Sequence, residues 1–399
     1  MQLITDPAEA ERVARSLAAA EVVGFDCEFL SQDRLVPKLC LLQLVYEEAS
    51  AQQIAVVDCL ALDVAGLVAA LAQHPCPVAH APRQDLQLLA TRFGADLPQV
   101  FDLQTAAAFV GLGDQVGYAR LVGAVLGVEL AKDLQWTDWA RRPLTDAQLA
   151  YAAADVGYLL PLYRELQARL GPRLAWARDE SQRLARLATD AAALREEDAW
   201  EDVAGSGALP PRAIGAVVAL AAWRLGTARR LDRPLGHVLP DKALVELARR
   251  PPRDGDALRR RVESPIAREH ADEVLTALRG AESRDAPAPS AAKPRRGPLS
   301  TRAEAWVAGL LLIVELVAER EQIAPRLLAT RAEVEALARS FERDGASGLE
   351  GHAAMQGWRR PVLGALCHGW LHGELAIVAG PDDARAAERS PVRLVPRGA

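Results

Sequence analysis

The chain has 399 residues, half of them hydrophobic and a quarter charged, with a net charge of −6; this excludes fibrous and disordered classes and, at roughly 100 to 200 residues per domain, calls for two to four cores. Five cysteines (Cys27, Cys40, Cys59, Cys76, Cys367), odd in number and without a C-x-x-C pair, argue against a disulfide framework or a zinc ribbon and fit a reducing cytoplasm. No basic-then-apolar leader opens the sequence, and the most apolar run, Ala305–Val317, is about a third shorter than a membrane span and carries Glu315, so a buried helix is expected there and no membrane segment.

In chain order, residues 6–19 show helical periodicity, and short apolar, β-branched runs follow at 21–29 (EVVGFDCEF), 39–46 (LCLLQLVY), 54–60 (IAVVDCL) and 77–81 (PVAHA). These read as strands. Helical patterns at 84–93, 103–110 and 146–170 alternate with or follow them, which predicts an α/β sheet domain over residues 1–175. Beyond 175 the pattern is of amphipathic helices punctuated by proline, with no strand expected. Residues 281–300, with four prolines among small and charged residues, read as a linker between helical domains at 203–280 and 301–378. The stretch 379–399 is poor in core formers and reads as a flexible tail outside the fold; its LVPRG matches a protease-site linker.

Three segments carry chemistry. Asp26 and Glu28 are two apart on an apolar strand, so both carboxylates leave one face, as a divalent cation would require. About seven such acid-x-acid pairs are expected by chance in this composition, so the pair alone identifies nothing. Asp85 falls in the first turn of a helix, where the macrodipole favours an acid without any function, and His80 before it reads as a satisfied half-buried imidazole. Tyr151 and Asp155 are i and i+4 on a helix whose other residues are mostly apolar, which places an acid near a buried surface where it needs a cation.

In this order and spacing, the segments resemble the DEDD exonuclease superfamily in its tyrosine-bearing branch. The text at 101–130 and 132–163 is similar to the body of ribonuclease D, and LPPRAIGAVVALAAWRLGTARRLDRPLGHVLPDKALVELARRPP (209–252) resembles an HRDC domain. REQIAPRLLATRAEVEALAR (320–339) signals a second, diverged copy, and Trp136 departs from the polar or basic residue expected after Lys132. The resemblance implies a ribonuclease H-like mixed sheet flanked by helices, then two all-α HRDC-like domains. It further implies that Asp26, Glu28, Asp85 and Asp155 hold two divalent cations, Mg2+ or Mn2+, that Tyr151 touches the attacking water, and that the chain hydrolyses RNA 3′ ends to 5′-mononucleotides. Precursor tRNA is the implied substrate class, and a DNA 3′ exonuclease or a non-catalytic RNA-binding protein are the alternatives.

The net charge of −6 argues at face value against a polyanion partner, but residues 1–170 carry −9 and the remainder +3, so the excess acid lies where cations would offset it. Other signals point nowhere. Gly111, Gly113 and Gly117 miss the dinucleotide fingerprint by one residue and follow a helix, and no P-loop or nucleotide cofactor is indicated. Cys367, His368 and His372 read as helix packing. Arg229-Arg230, Arg259–Arg261 and Arg295-Arg296 read as solvated charges that could also hold a nucleic-acid backbone.

Overall fold

The computed structural model describes residues 3–130, 137–193, 195–206, 209–281, 298–379 and 392–397. Its first part is a six-stranded mixed sheet built from β1 (Leu3–Ile4), β2 (Val23–Leu30), β3 (Lys38–Glu48), β4 (Ala51–Asp58), β5 (Pro77–Ala79) and β6 (Phe101–Asp102) in the order β1-β4-β3-β2-β5-β6. β2, β3 and β4 form an antiparallel meander, and β1, β5 and β6 pair parallel to their neighbours. β3 and β4 turn through Ala49 and Ser50, both at positive φ, the two-residue geometry that follows the sheet's twist but is usually made by Asn-Gly.

Both faces of the sheet are covered, which is why β3 is buried from Leu39 through Tyr46 and reads as an unbroken apolar run instead of an alternating one. On one face α1 (Pro7–Ala19), α2 (Ala65–Gln73) and α3 (Arg83–Phe93) pack with Phe25, Cys27, Leu42, Leu44 and Val57. The other face, with Leu41, Val45 and Val56, receives helices from later in the chain. After β6 come α4 (Leu103–Ala108) and α5 (Tyr118–Leu126), then α6 (Asp146–Gly157) and α7 (Leu159–Leu170). Residues 146–170, expected as one helix, are therefore two, broken at Tyr158 (φ −108, ψ 3). Pro161 explains the break: it has no N–H to give and its ring clashes with the carbonyl four residues back, at Gly157. Gly24 lets α7 sit directly on β2, because a Cβ there would lie 2.4 Å from Val45 Cγ1 and 2.9 Å from Leu159 Cδ1.

α8 (Leu174–Ala192) lies against α3 and β6, buries Ala185 and Ala188 with the sheet core, and its Ser181 Oγ accepts the Asp102 N–H at 3.1 Å.

A helical module follows: α9 (Pro211–Leu231), α10 (Leu235–Val238), α11 (Asp241–Arg249), α12 (Gly255–Arg261), α13 (Pro265–Glu269) and α14 (Ala271–Ala281) enclose a core of their own around Val217, Leu220, Leu244, Leu258 and Val274. It meets the sheet domain through Asp232, the left-handed cap of α9. Asp232 accepts from Arg34 Nε at 2.8 Å and from the backbone N–H groups of Leu35 and Val36 at 3.2 and 3.3 Å.

The last helices are α15 (Thr301–Glu321), α16 (Pro325–Leu328), α17 (Arg331–Asp344) and α18 (Ala365–Leu371). Their core is continuous with that under α4, α5 and α7. Trp358 stacks on Trp176 (5.4 Å, 16°) and meets Phe109 edge-on at 5.0 Å, while Ala324 N–H donates to Ala108 O at 2.9 Å. α15 holds the apolar run at 305–317 as a buried helix, and no helix among the described residues is long and apolar enough to cross a membrane.

The expectation of no strand after 175 is corrected here. β7 (Leu375–Ala379) pairs antiparallel with β8 (Val392–Pro396), so part of the presumed tail, including most of the LVPRG sequence, is a strand. Each run is only five residues long, too short for periodicity to separate it from the preceding helices. Residues 282–297, which hold most of the expected linker and Arg295-Arg296, lie outside the described residues, as do Lys132 and Trp136.

The second module is anchored to α8 by a buried ion pair. Arg359 Nη2 is 2.7 Å from Glu180 Oε2, with side chains only 8% and 2% exposed, and Arg359 Nε donates to Leu327 O. Arg183 takes the other Glu180 oxygen at 2.6 Å, and the two guanidinium groups hold the Glu180 carboxyl below its ordinary range despite burial. Arg359→Ala is expected to destabilise the chain by about 3 kcal/mol in urea unfolding, since it leaves a buried carboxylate half-paired. A loss within error of zero would show that this contact does not fasten the module.

Candidate active site

β2 is flanked by β3 and β5 at the middle of the sheet, so an acid on it is far from either sheet edge. Asp26 and Glu28 project from the face that α6 covers, while Cys27 turns into the opposite core. α6 brings Asp155 over them, and one carboxylate oxygen from each of Asp26, Glu28 and Asp155 lies within 4.8 Å of the others. Among the described residues this is the only such cluster of acids, histidines or cysteines. Asp85 enters from the first turn of α3; it is buried, and its charge acts on Glu28 and Cys27 although it stands outside the three-acid group. Tyr151 is one turn before Asp155 on α6, its ring 6.1 Å from that of Trp139.

The placement of α6 follows from contacts that no motif announces. Thr145 and Gln148 close a capping box at its N-terminus, and Gln148 Nε2 donates to Thr137 Oγ1 at 3.0 Å. Just before it, Arg142 donates to Asp58 at 2.7 and 2.6 Å, to Trp139 O at 2.8 Å and to Cys40 O at 3.2 Å, tying the lead-in of α6 to β3 and β4. At the other end the Tyr118 hydroxyl donates to Ala154 O and accepts from Tyr158 N–H, at 3.1 and 3.3 Å. The sequence reading missed Arg142, Trp139 and Tyr118; the only signal for them was a bulky or charged residue close to an expected helix. His80 is where it was expected, half-buried with Nε2 2.9 Å from Val116 O and its ring edge-on to Tyr118. Ala81 next to it is held at φ 52, a costly conformation for a residue with a Cβ, by its N–H to Asp102 Oδ1 at 2.8 Å; this turn aims the start of α3 at the site.

The electrostatics are those of acids forced together. Burial lifts Asp26 to about 7, with a Cys27 backbone N–H pulling the other way. Burial and then the Asp26 charge lift Asp155 to about 8. Glu28 reaches about 9 through burial and repulsion from Asp26, Asp155 and Asp85, and Asp85 is raised by burial and by Asp26. Among the described residues no cationic side chain offsets any of the four. Burial and the charges of Asp155, Glu28 and Asp26 push the Tyr151 phenol to about 12, so it keeps its proton. An all-oxygen set of acids without a counter-charge suits a hard divalent cation, and the residues present therefore fit one. By contrast, Cys367 is buried in the core of the second module and the His368 and His372 rings pack at 4.3 Å, without a third donor near them among the described residues.

A mixed sheet presenting clustered carboxylates under a tyrosine-bearing helix defines a nuclease, and a family model for the 3′–5′ exonuclease domain matches residues 1–171. A model for the HRDC domain matches residues 215–278. The ribonuclease D of Acidiphilium cryptum is 36% identical over 380 residues, 91% of each chain. That of Granulibacter bethesdensis is 34% identical over 394 residues, 94% of this chain and 93% of its own. The crystal structure of Escherichia coli RNase D, an exoribonuclease involved in structured RNA processing, matches with a TM-score of 0.80 at 28% identity, covering 93% of this chain and 98% of that one. The chain belongs to the ribonuclease D family of 3′–5′ exoribonucleases.

The raised carboxyl groups set a pH dependence. In the absence of metal, the folded chain retains protons that an unfolded chain, with ordinary carboxyls near pH 4, has released. Stability is therefore lost as pH rises from about 5 toward 9. Thermal melting in EDTA should show Tm falling across pH 6 to 9, with the slope reduced in Asp155→Asn; a flat profile in the native chain would overturn the repulsion argument.

Proposed function

We propose that the chain trims the 3′ ends of structured RNA, precursor tRNA among them, releasing 5′-mononucleotides. The observation that carries this reading is the part-buried group of Asp26, Glu28 and Asp155 with the buried Asp85 beside it, acids that have no counter-charge among the described residues. Asp26, Glu28, Asp85 and Asp155 would together hold two divalent cations, Mg2+ or Mn2+, which when bound supply Lewis-acid stabilisation at phosphorus and lower the pKa of the attacking water. Charge balance supports a count of two, since four ionised carboxylates match two divalent ions.

The chain's own residues do the rest. Tyr151 keeps its phenolic proton at neutral pH and is a poor base, so its hydroxyl orients the attacking water by a hydrogen bond. Trp139 packs beside that ring and limits its freedom. The buried floor of the site, Leu41 and Val56 under Ala152 and Ala153, excludes bulk water and strengthens every charge interaction above it. The first helical module and the arginines on it, such as Arg259, Arg260 and Arg261 at the end of α12, would hold the folded body of the RNA by its phosphates while the 3′ end reaches the carboxylates. Support for structured RNA comes from the Escherichia coli enzyme, described as acting in structured RNA processing.

The test is a time course on matched 3′-extended RNA and DNA oligonucleotides, with magnesium or with EDTA. Metal-dependent shortening of the RNA from its 3′ end is expected; shortening of DNA alone would leave the site and change the substrate. Asp155→Asn and Asp26→Asn should bring hydrolysis below detection with RNA affinity nearly unchanged, and turnover in either variant would overturn the ligand assignment. Tyr151→Phe should slow hydrolysis by at most about 100-fold, whereas an unchanged rate would show its hydroxyl to be idle.

A further inference from the structure

Gln43 sits in the middle of β3, fully buried, and neither its amide nitrogen nor its amide oxygen has a hydrogen-bond partner. It is a lone polar side chain in the run Leu41, Leu42, Gln43, Leu44, Val45. Leaving both ends of a primary amide unpaired in an apolar environment is expensive, and a leucine or methionine of similar volume would avoid it. Core packing alone therefore gives no reason for a glutamine here.

The register supplies one. Gln43 is directly opposite Asp26 on β2 and opposite Val56 on β4. Directly opposed residues share one face of the sheet, with Cβ atoms about 4.5 to 5.5 Å apart. Along β3 its same-face neighbours are Leu41 and Val45; diagonal to it are Glu28 on β2 and Ile54 and Asp58 on β4, and Ala152 and Ala153 of α6 pack with Leu41 and Val56. Of the two residues directly opposite Gln43, Asp26 is the polar one, so the register sets its carboxylate beside the amide. A carboxylate that gives one oxygen to a cation still has lone pairs free, and a donor on them fixes how it is turned.

We infer that Gln43 is a positioning residue for the exonuclease site: its side-chain N–H donates to the Asp26 carboxylate, directly or through one water, and holds it in the orientation that binds the divalent cation. This rests on the reading of Asp26 as a metal ligand. The free amide oxygen of Gln43 has a role of the same kind, accepting from a water in the cluster. The charged, loaded site thus pairs an amide that the apolar core leaves unpaired.

The experiment uses the full chain with Gln43→Leu and, as a second apolar variant of closer shape, Gln43→Met. Three quantities are read: Mn2+ affinity by calorimetry without RNA, kcat and KM on a 3′-extended RNA, and Tm in EDTA. Loss of an outer partner of a metal ligand is expected to weaken Mn2+ binding by roughly 10- to 100-fold. kcat should fall with it, KM for RNA should stay near its native value, and Tm in EDTA should equal or exceed that of the native chain. Native Mn2+ affinity in either variant would overturn the inference, as would a Tm well below native in both, which would make the amide a prop of the fold. Asp26→Asn is measured alongside. If it binds Mn2+ as the native chain does, the ligand assignment itself fails; if it loses binding while the Gln43 variants keep it, only the role of Gln43 fails.

Discussion

Three carboxyl groups gather where the middle of a sheet meets α6, with the buried Asp85 beside them at the start of α3, and among the described residues no lysine or arginine relieves them. That repulsion has to be sustained by everything around it. Burial lifts these carboxyls above their ordinary range, and repulsion from neighbouring acids adds to the lift at Glu28, Asp85 and Asp155. The rest of the nuclease domain can be understood as the frame that keeps them together: β2 placed centrally, Gly24 admitting α7, Pro161 ending α6 so that Asp155 lies in its last turn, and a strained Ala81 starting α3 in the right direction.

The frame uses interactions of a different kind from those it constrains. Arg142 satisfies Asp58 with a two-pronged hydrogen bond and also donates to the backbone carbonyls of Trp139, Arg141 and Cys40, and the Tyr118 hydroxyl serves two backbone groups at the other end of α6. These contacts are fully paired, so they lend rigidity without needing a ligand. The helix carrying Tyr151 and Asp155 is thereby clamped at both ends.

Much of this was legible in the sequence, and the rest was not for identifiable reasons. Asp26, Glu28, Tyr151 and Asp155 stood out because charge on an apolar strand or helix breaks a pattern, and order and spacing turned weak pairs into a family resemblance. Asp85 could not be told from an ordinary helix-start acid until its burial was known. The division of 146–170 at Tyr158 was visible in principle, since Pro161 marks it, but the apolar periodicity on either side masked it. The β7–β8 hairpin was lost because its two short strands are separated by twelve residues and pair only across that distance. Arg142 and Tyr118 carry no local signature beyond bulk or charge near an expected helix; their roles come from partners 84 and 36 to 40 positions away, and such pairings are set by topology.

The two helical modules are joined to the nuclease domain by bonds of opposite character. The second shares its core and buries Glu180 with Arg359. The first, at Asp232, relies on groups 40 to 45% exposed, where salt and water compete with every contact. Rising ionic strength therefore weakens the hold of the first module and leaves that of the second nearly untouched, and the weakened contact is the one on the Ser31–Pro37 turn, which follows the strand of Asp26 and Glu28.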